Sequence, residues 1–144
     1  MNSFDVSQIY WSQLPGFENF SYSILNVDQP NQLVDVIFHF RAHDPIVLHR
    51  HCALNHTFVV SGEHHIYHAN GELKEVRPTG SYTVSHPDST PHRECGGDGG
   101  TVVLFSIRGT SGVMYEILDD RQNLVAALGM AEFASLYETN RQIA

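Results

Sequence analysis

The most constraining feature of this sequence is a group of three histidines placed directly before an apolar segment. His49 and His51 are two residues apart, and His56 follows after the connector CALN. Alternate residues of an extended strand point to the same side, so His49 and His51 share one face. Imidazoles that share an inward face need a common partner, and neutral imidazole is the commonest metal ligand. The spacing therefore favours strands arranged around a metal ion.

Two further positions extend this hypothesis. If CALN turns the chain, His56 begins the next strand, and we predict that His56, Phe58 and Val60 face inward. His92 follows Pro91, which disfavours helix in the residue before it and favours extended chain. The predicted metal ligands are His49, His51, His56 and His92. The other histidines are interpreted as ordinary hydrogen-bonded or surface residues: His39, His43, His64, His65, His68 and His86.

The rest of the sequence indicates an all-β chain. Residues 33–40 and 101–109 are rich in β-branched and aromatic side chains, as in core strands. Asn70-Gly71 between two strand-like segments predicts a hairpin. The glycine-rich residues 96–100 predict a flexible loop, and residues 130–138 predict a short C-terminal helix. Short strands at regular spacing favour a sandwich or a barrel.

Length and charge limit the possible partners. The 144 residues fit one domain, residues 1–144, and the net charge of -8 with a single lysine argues against nucleic acid and anionic membranes. Two cysteines form no secreted disulfide framework, and the segment MNSFDVSQIYW lacks the features of a signal peptide. The apolar run LVAALGMA is too short to span a bilayer. We therefore expect a cytoplasmic protein.

Two segments resemble the motifs of the cupin family. The first family motif, His-x-His followed by a glutamate and then a glycine, corresponds to His49-Arg50-His51, His56 and Gly62. The second, Gly followed by Pro-x-Gly-x-x-His, corresponds to GSYTVSHPDSTPH, which ends at His92. The chain departs from the pattern twice, because His56 stands in place of the glutamate and Ser89 in place of the glycine.

The resemblance implies a double-stranded β-helix, or jelly roll, with one divalent metal ion at its centre. Within this family the chain looks most similar to the small dioxygenases that cleave acetylacetone or 2,4'-dihydroxyacetophenone. The tail EILDDRQNLVAALGMAEF and the early segment WSQLPGFENFSYSILNVD carry this likeness. It implies an oxygenase that cleaves a carbon–carbon bond of a β-dicarbonyl or hydroxy-ketone with O2, with Fe(II) favoured and Zn or Ni as alternatives. A homodimer is expected for this fold.

The chemistry of the predicted ligands adds two expectations. Four neutral imidazoles leave the charge of the ion uncancelled, so the site would favour anionic enolates or phenolates. Phe58, Val60 and Phe105 are candidate walls of the substrate pocket on strand parity. Three alternatives stay open: a zinc-binding, non-catalytic sensor module, a cupin with another chemistry such as an isomerase, and a β-sandwich binding protein without metal.

Overall fold

The computed structural model describes residues 5–143, and this part of the chain is all-β with one C-terminal helix, as predicted. Residues 1–4 and 144, which the single-domain prediction includes, lie outside the described residues. The elements are β1 (Ser12–Leu14), β2 (Phe17–Asp28), β3 (Leu33–Phe40), β4 (His49–His51), β5 (Leu54–His68), β6 (Leu73–Arg77), β7 (Tyr82–Ser85), β8 (His92–Arg108), β9 (Val113–Leu118), β10 (Leu124–Gly129) and α1 (Met130–Ile143). None of the described helical residues forms a stretch long and apolar enough to cross a bilayer.

The long strand β8 organises the sheet. Its C-terminal part, residues 101–108, pairs with β3 on one side and with β5 on the other. Its N-terminal part pairs with the end of β5 and, through His92, with His49 of β4. The order β1–β2–β3–β8–β4–β9–β10 follows, while β6 and β7 pair with β5. Because β8 pairs with β3 and β5 in its C-terminal part and with β5 and β4 in its N-terminal part, the sheet curls around an interior. This is the architecture expected of a jelly roll.

The interior is filled by the alternate side chains of the central strands and by one face of the helix. Burying each such side chain contributes about 1.5–3 kcal/mol. Met130 and Phe133 are three residues apart, so they share a helix face, and both are buried against the sheet. The residues of β3 and β8 that belong to the hydrophobic core cluster alternate as strand geometry requires: Val34, Val36 and Phe40, then Val103, Phe105 and Ile107. Ile37 and Val102 are buried as well, on the opposite face of the same strands.

Strand β5 changes its inward face part-way along. Asn55, Thr57 and Val59 are buried in its first part, whereas His64 and Ile66 are buried in its second. The register between β5 and β8 shifts at two points between these parts. An irregularity of this kind lets a strand exchange its two faces, because one strand gains a residue relative to its neighbour.

The glycine-rich segment of residues 96–100, predicted to be a flexible loop, instead lies inside β8. The pairing with β5 passes from Thr101 directly to Gly96, so the residues between them bulge out of the ladder. A Cβ atom on Gly96 would lie 2.5 Å from Gly100 Cα, and one on Gly62 would lie 2.1 Å from the Gly100 carbonyl oxygen. Glycine is therefore required here because two backbones approach closely.

We predict that Gly62→Ala destabilises the protein more than Gly80→Ala does. Both residues have a positive φ, 73° and 90°, so alanine strains the backbone at either position. Only at Gly62 does the added Cβ also collide with backbone, which should remove about 1–3 kcal/mol more of the free energy of unfolding. Urea denaturation of the two variants measures the difference, and equal losses would contradict the close approach of β5 and β8.

Candidate metal centre

Two neighbouring strands each contribute two donor side chains to one cluster. His49 and His51 are alternate residues of β4, and His92 and Glu94 are alternate residues of β8. His49 faces His92 directly across the antiparallel pair, and residues that face each other in this way lie within side-chain reach. One ligand atom from each of the four residues lies within 4.8 Å of all the others, so the group can hold a metal ion.

The orientation of His49 leaves one ring nitrogen available as a ligand. Its Nδ1 lies 2.8 Å from the Val47 carbonyl oxygen, and since that oxygen can only accept, Nδ1 must carry a proton. The other nitrogen, Nε2, lies 2.9 Å from Glu94 Oε2, and although burial disfavours a charged ring, its hydrogen bond to Glu94 raises the pKa of His49. Nε2 therefore donates to Glu94, and a metal ion bound at Nε2 would displace that proton. Backbone contacts of this kind are how metal-binding histidines are usually held in one tautomer.

Glu94 is a carboxylate buried in the centre of the cluster. Its Oε2 lies 2.9 Å from His49 Nε2 and 3.0 Å from His92 Nε2, and its Oε1 lies 3.0 Å from His64 Nε2. Burial by itself would raise the pKa of Glu94, but these three imidazole contacts hold the pKa well below its usual range. Glu94 therefore carries its negative charge inside the protein.

His51 has a buried ring nitrogen that finds no hydrogen-bond partner in the described part of the chain. Among the described residues its Nε2 is buried without a hydrogen bond. Burial, followed by the neighbouring His49 and His92 rings, lowers the pKa of His51 well below its ordinary value, so the ring stays neutral. A buried, neutral imidazole nitrogen with no partner is the state in which histidine binds a metal.

The spacing of the donors fits a shared cation. Two ligand atoms that each lie about 2.1 Å from one ion, at right angles, are about 3.0 Å from each other. The contacts of Glu94 Oε2 with His49 Nε2 and His92 Nε2 are 2.9 and 3.0 Å. Imidazole ligands suit Fe, Zn and Ni, and iron(II) sites combine imidazole with carboxylate ligands. The residues present therefore fit a divalent metal ion.

A packed neighbour keeps the imidazoles in place. The Tyr115 ring lies edge-on to His51, with 4.9 Å between the ring centroids. Its hydroxyl donates to Asn55 Oδ1 at 3.2 Å, and the Asn55 amide donates to the Ala53 carbonyl oxygen at 3.0 Å. Burial raises the pKa of Tyr115 well above its ordinary value, so its hydroxyl keeps its proton and remains a donor.

Two cavities of different character reach the cluster. An apolar cavity of about 240 Å³ touches His49 and Glu94. It lies between the sheet and α1, which contributes Phe133 to its wall. A polar cavity of about 350 Å³ touches His51, His92 and Glu94 from the other direction. The polar cavity is therefore the larger of the two and reaches three of the four donors.

The structure brings together three of the four predicted ligands, His49, His51 and His92, and places His56 elsewhere. His56 Nδ1 contacts the Tyr82 hydroxyl on the outer side of the sheet. The predicted inward orientation of His56 is wrong because β5 begins at Leu54, which puts Asn55 on the inward face. The carboxylate Glu94 is the fourth donor in the cluster instead.

The same parity error affects two of the three predicted pocket residues. Phe58 is 40% exposed and Val60 is half-buried, and neither lines either cavity. Phe58 shares the outer face with His56, since the two are alternate residues of β5. Phe105 is buried and lines both cavities beside the cluster.

Sequence reasoning missed two buried residues of the site. Glu94 lies two residues after His92, the same spacing as that between His49 and His51. The segment HRE therefore carries the same alternate-residue signal as HRH. His64, interpreted as an ordinary histidine, is only 2% exposed and hydrogen-bonds to Glu94 Oε1. No sequence signal identifies His64, because its inward orientation depends on the irregularities in β5.

Comparison with solved structures identifies the architecture. An RmlC-like cupin protein from Ralstonia eutropha JMP134 superposes with a TM-score of 0.74 at 15% identity, covering 100% of this chain and 90% of that one. An acetylacetone dioxygenase from Acinetobacter johnsonii superposes with a TM-score of 0.70 at 14% identity, covering 97% and 93%. The chain has a cupin fold. The polyketide cyclase RemF from Streptomyces resistomycificus shares this fold, with a TM-score of 0.57 at 15% identity, covering 90% and 84%.

These similarities confirm the predicted cupin jelly roll at the level of the fold. No protein-family model matches the chain. No curated protein matches it either. Since the cupins with similar structures include a dioxygenase and a cyclase, the cupin fold alone does not select a reaction.

The carboxylate in the cluster changes the expected electrostatics. The four-histidine set predicted from the sequence is neutral, whereas the set in the structure includes the ionised Glu94. Glu94 cancels one unit of the charge of a divalent ion, which weakens the attraction of the site for an anionic ligand. Other cationic groups in the cavities would therefore contribute more to any preference for anions than the four-histidine prediction implied.

We predict that His51→Ala abolishes metal binding and that His56→Ala leaves it intact. His51 lies in the cluster and its Nε2 has no other described partner, whereas His56 lies outside the cluster. Each variant is loaded with Ni(II) or Zn(II) and dialysed, and its metal content is measured by elemental analysis. Comparable loss of metal in both variants would contradict the assignment.

We also predict that His64→Phe weakens metal binding and that His64→Gln largely preserves it. The His64 Nε2–H donates to Glu94 Oε1, and glutamine retains a donor, while phenylalanine retains only the stacking on Phe40. Loss of a hydrogen bond that orients a ligand typically lowers metal affinity about 10–100-fold. Competition with a chelator measures the affinity, and equal values for the two variants would show that the donor is unimportant.

Proposed function

We propose that this protein is a metal-dependent oxygenase that uses O2 to cleave a carbon–carbon bond of a β-dicarbonyl or hydroxy-ketone. His49, His51, His92 and Glu94 would hold one divalent ion, with Fe(II) favoured and Zn or Ni as alternatives. The observation that carries the proposal is a donor set of three imidazoles and a carboxylate that opens onto a cavity. The fold shared with an acetylacetone dioxygenase supports the choice of reaction.

A bound Fe(II) ion would supply Lewis acidity towards a dicarbonyl and electrons towards O2. The chain supplies position and environment. His49 is held by Val47, and His64 holds Oε1 of Glu94, so the donor atoms keep their directions before substrate arrives. Prior alignment of this kind reduces the rearrangement needed during reaction.

The two cavities divide the surroundings of the cluster. The polar cavity, which reaches His51 and His92, is proposed to admit the carbonyl end of the substrate. The apolar cavity beside His49 is lined by aromatic and aliphatic side chains such as Phe20 and Phe38, which disfavour water on that side. Phe105 lies at both cavities and separates the two environments.

The polar cavity also bears on the sensor alternative. A structural zinc site is normally closed by its four protein ligands, whereas a catalytic site keeps an approach for water or substrate. Here three of the four donors border an open cavity of about 350 Å³. This arrangement supports a catalytic site, and an isomerase or another cupin reaction at the same metal centre is the competing proposal.

The proposed setting is a cytoplasmic homodimer that acts on a small molecule. Cys52 and Cys95 are both free, which supports a reducing compartment. Phe58 and Tyr82 face each other across β5 and β7, and both are exposed on the outer side of the sheet. Exposed apolar side chains on one sheet face support an interface between two copies, which light scattering in solution would test.

We predict that the Fe(II)-loaded protein consumes O2 in the presence of a suitable 1,3-dicarbonyl or hydroxyacetophenone. The protein is purified without oxygen, loaded with iron, and tested with a panel of both substrate classes in an oxygen electrode. His51→Ala serves as the negative control, and His56→Ala, which lies outside the cluster, should retain the activity.

Two results would overturn the proposed reaction. Absence of O2 uptake with every compound, despite full iron occupancy, would exclude these substrates. Conversion of a dicarbonyl without O2 uptake would instead support the isomerase alternative, because isomerisation leaves the oxidation state of the substrate unchanged.

A further inference from the structure

Strand β6 places two cationic side chains in the wall of the polar cavity. Strand β6 contributes Lys74 and Arg77 to the lining, and the cluster contributes His51, His92 and Glu94. Lys74 is the only lysine in the chain, and the protein has a net charge of -8. Two of the eight Lys and Arg residues of the chain therefore border one cavity, together with the carboxylates Glu75, Asp88 and Glu94.

Arg77 is held at this wall by its neighbours but keeps donor capacity. Its side chain is 14% exposed, and both its Nε and Nη2 lie 3.0 Å from a single oxygen of Glu75, Oε2. Its Nη1 makes a longer contact of 3.4 Å with Thr57 Oγ1. A guanidinium has five N–H groups in a planar fork, so one side of Arg77 remains able to bind an oxyanion.

The acidic groups of the same cavity do not use up this positive charge. Glu75 is 43% exposed and contacts Arg77 through one oxygen, so solvent screens much of its charge. Asp88 accepts a hydrogen bond from the Thr90 backbone N–H at 2.9 Å, which satisfies part of its carboxylate within its own loop. For Lys74, the described contacts include no salt bridge.

Glu94 cancels one unit of the charge of a divalent ion, so the loaded cluster would attract an anion less strongly than four neutral imidazoles around the same ion would. A carboxylate on the substrate could in addition be bound by the two cations of β6, which line the same cavity. We propose that the substrate carries a carboxylate in addition to its carbonyl groups, and that Arg77 and Lys74 bind this carboxylate while the carbonyl end lies at the cluster. This inference rests on the proposed function, since it specifies the substrate class of the same cavity.

Arg77 and Lys74 have different parts in this recognition. Arg77, which is mostly buried, supplies a planar pair of donors that matches the two oxygens of a carboxylate. Lys74, which is exposed, contributes a charge that solvent and salt screen. We therefore expect Arg77 to determine most of the preference for the carboxylate and Lys74 to add a smaller, salt-sensitive part.

The test compares two probes that differ only at one end. 4,6-Dioxoheptanoate has a terminal carboxylate where heptane-2,4-dione has a methyl group, and the dicarbonyl is the same in both. Each is titrated calorimetrically, without O2, into protein fully loaded with Ni(II) or Fe(II). The carboxylate probe should bind at least about tenfold more tightly, since charge-assisted hydrogen bonds exceed neutral contacts.

The variants assign this preference to its residues. Arg77→Met should bring the ratio of the two affinities close to one, and Lys74→Met should lower the ratio by a smaller factor. Arg121→Met, in the exposed turn between β9 and β10, should leave the ratio at the wild-type value. Raising the salt concentration should lower the ratio in the unmodified protein, which tests the charge without any substitution.

Each outcome decides the inference. If both probes bind equally to the wild-type protein, or if Arg77→Met keeps the preference, the carboxylate site is wrong while the dicarbonyl proposal stands. If neither probe binds to fully loaded protein, the dicarbonyl part of the proposed function fails, and this inference fails with it. If Arg77→Met does not fold, the Lys74→Met ratio and the salt dependence decide, and a ratio insensitive to both would overturn the proposal.

Discussion

The contact between the buried Glu94 carboxylate and the surrounding imidazoles governs the centre of this protein. Burying a carboxylate costs several kcal/mol unless charge and hydrogen bonds compensate for it. Here His49, His92 and His64 approach its two oxygens, and a bound cation would add to this compensation. The arrangement requires β4 and the start of β8 to pair in one register, with His49 opposite His92. Fold and site therefore depend on the same pairing.

The two sides of the cluster offer different environments to a substrate. On one side α1 and the first strands enclose apolar aromatic side chains, and on the other β6 and the loop before β8 form a polar wall. The loop is attached to β4, because the Asp88 backbone N–H donates to the His51 carbonyl oxygen at 3.0 Å. A molecule with a chelating end and a charged end would suit this asymmetry better than a purely apolar one.

The local irregularities of β5 and β8 decide which residues reach the interior. The bulged glycine segment inside β8 and the close approach of Gly62 to Gly100 allow the end of β5 to turn its other face inward. His64 reaches Glu94 for this reason, although residues of the opposite parity are buried earlier in the strand. Parity arguments hold only within an unbroken stretch of ladder, so the first part of β5 does not predict the orientation of His64. The errors at His56, Phe58 and Val60 have another origin, because β5 begins at Leu54 and Asn55 faces inward.

The sequence by itself determined the all-β class, the C-terminal helix and the alternate pair His49 and His51, because these depend on local periodicity. Its motifs also indicated the cupin fold, and they predicted His92 as a metal ligand. The tertiary structure alone decided that Glu94 rather than His56 completes the cluster, and that His64 supports it. The physical reason is that strand ends, bulges and register arise from pairing between distant segments, which no local pattern contains.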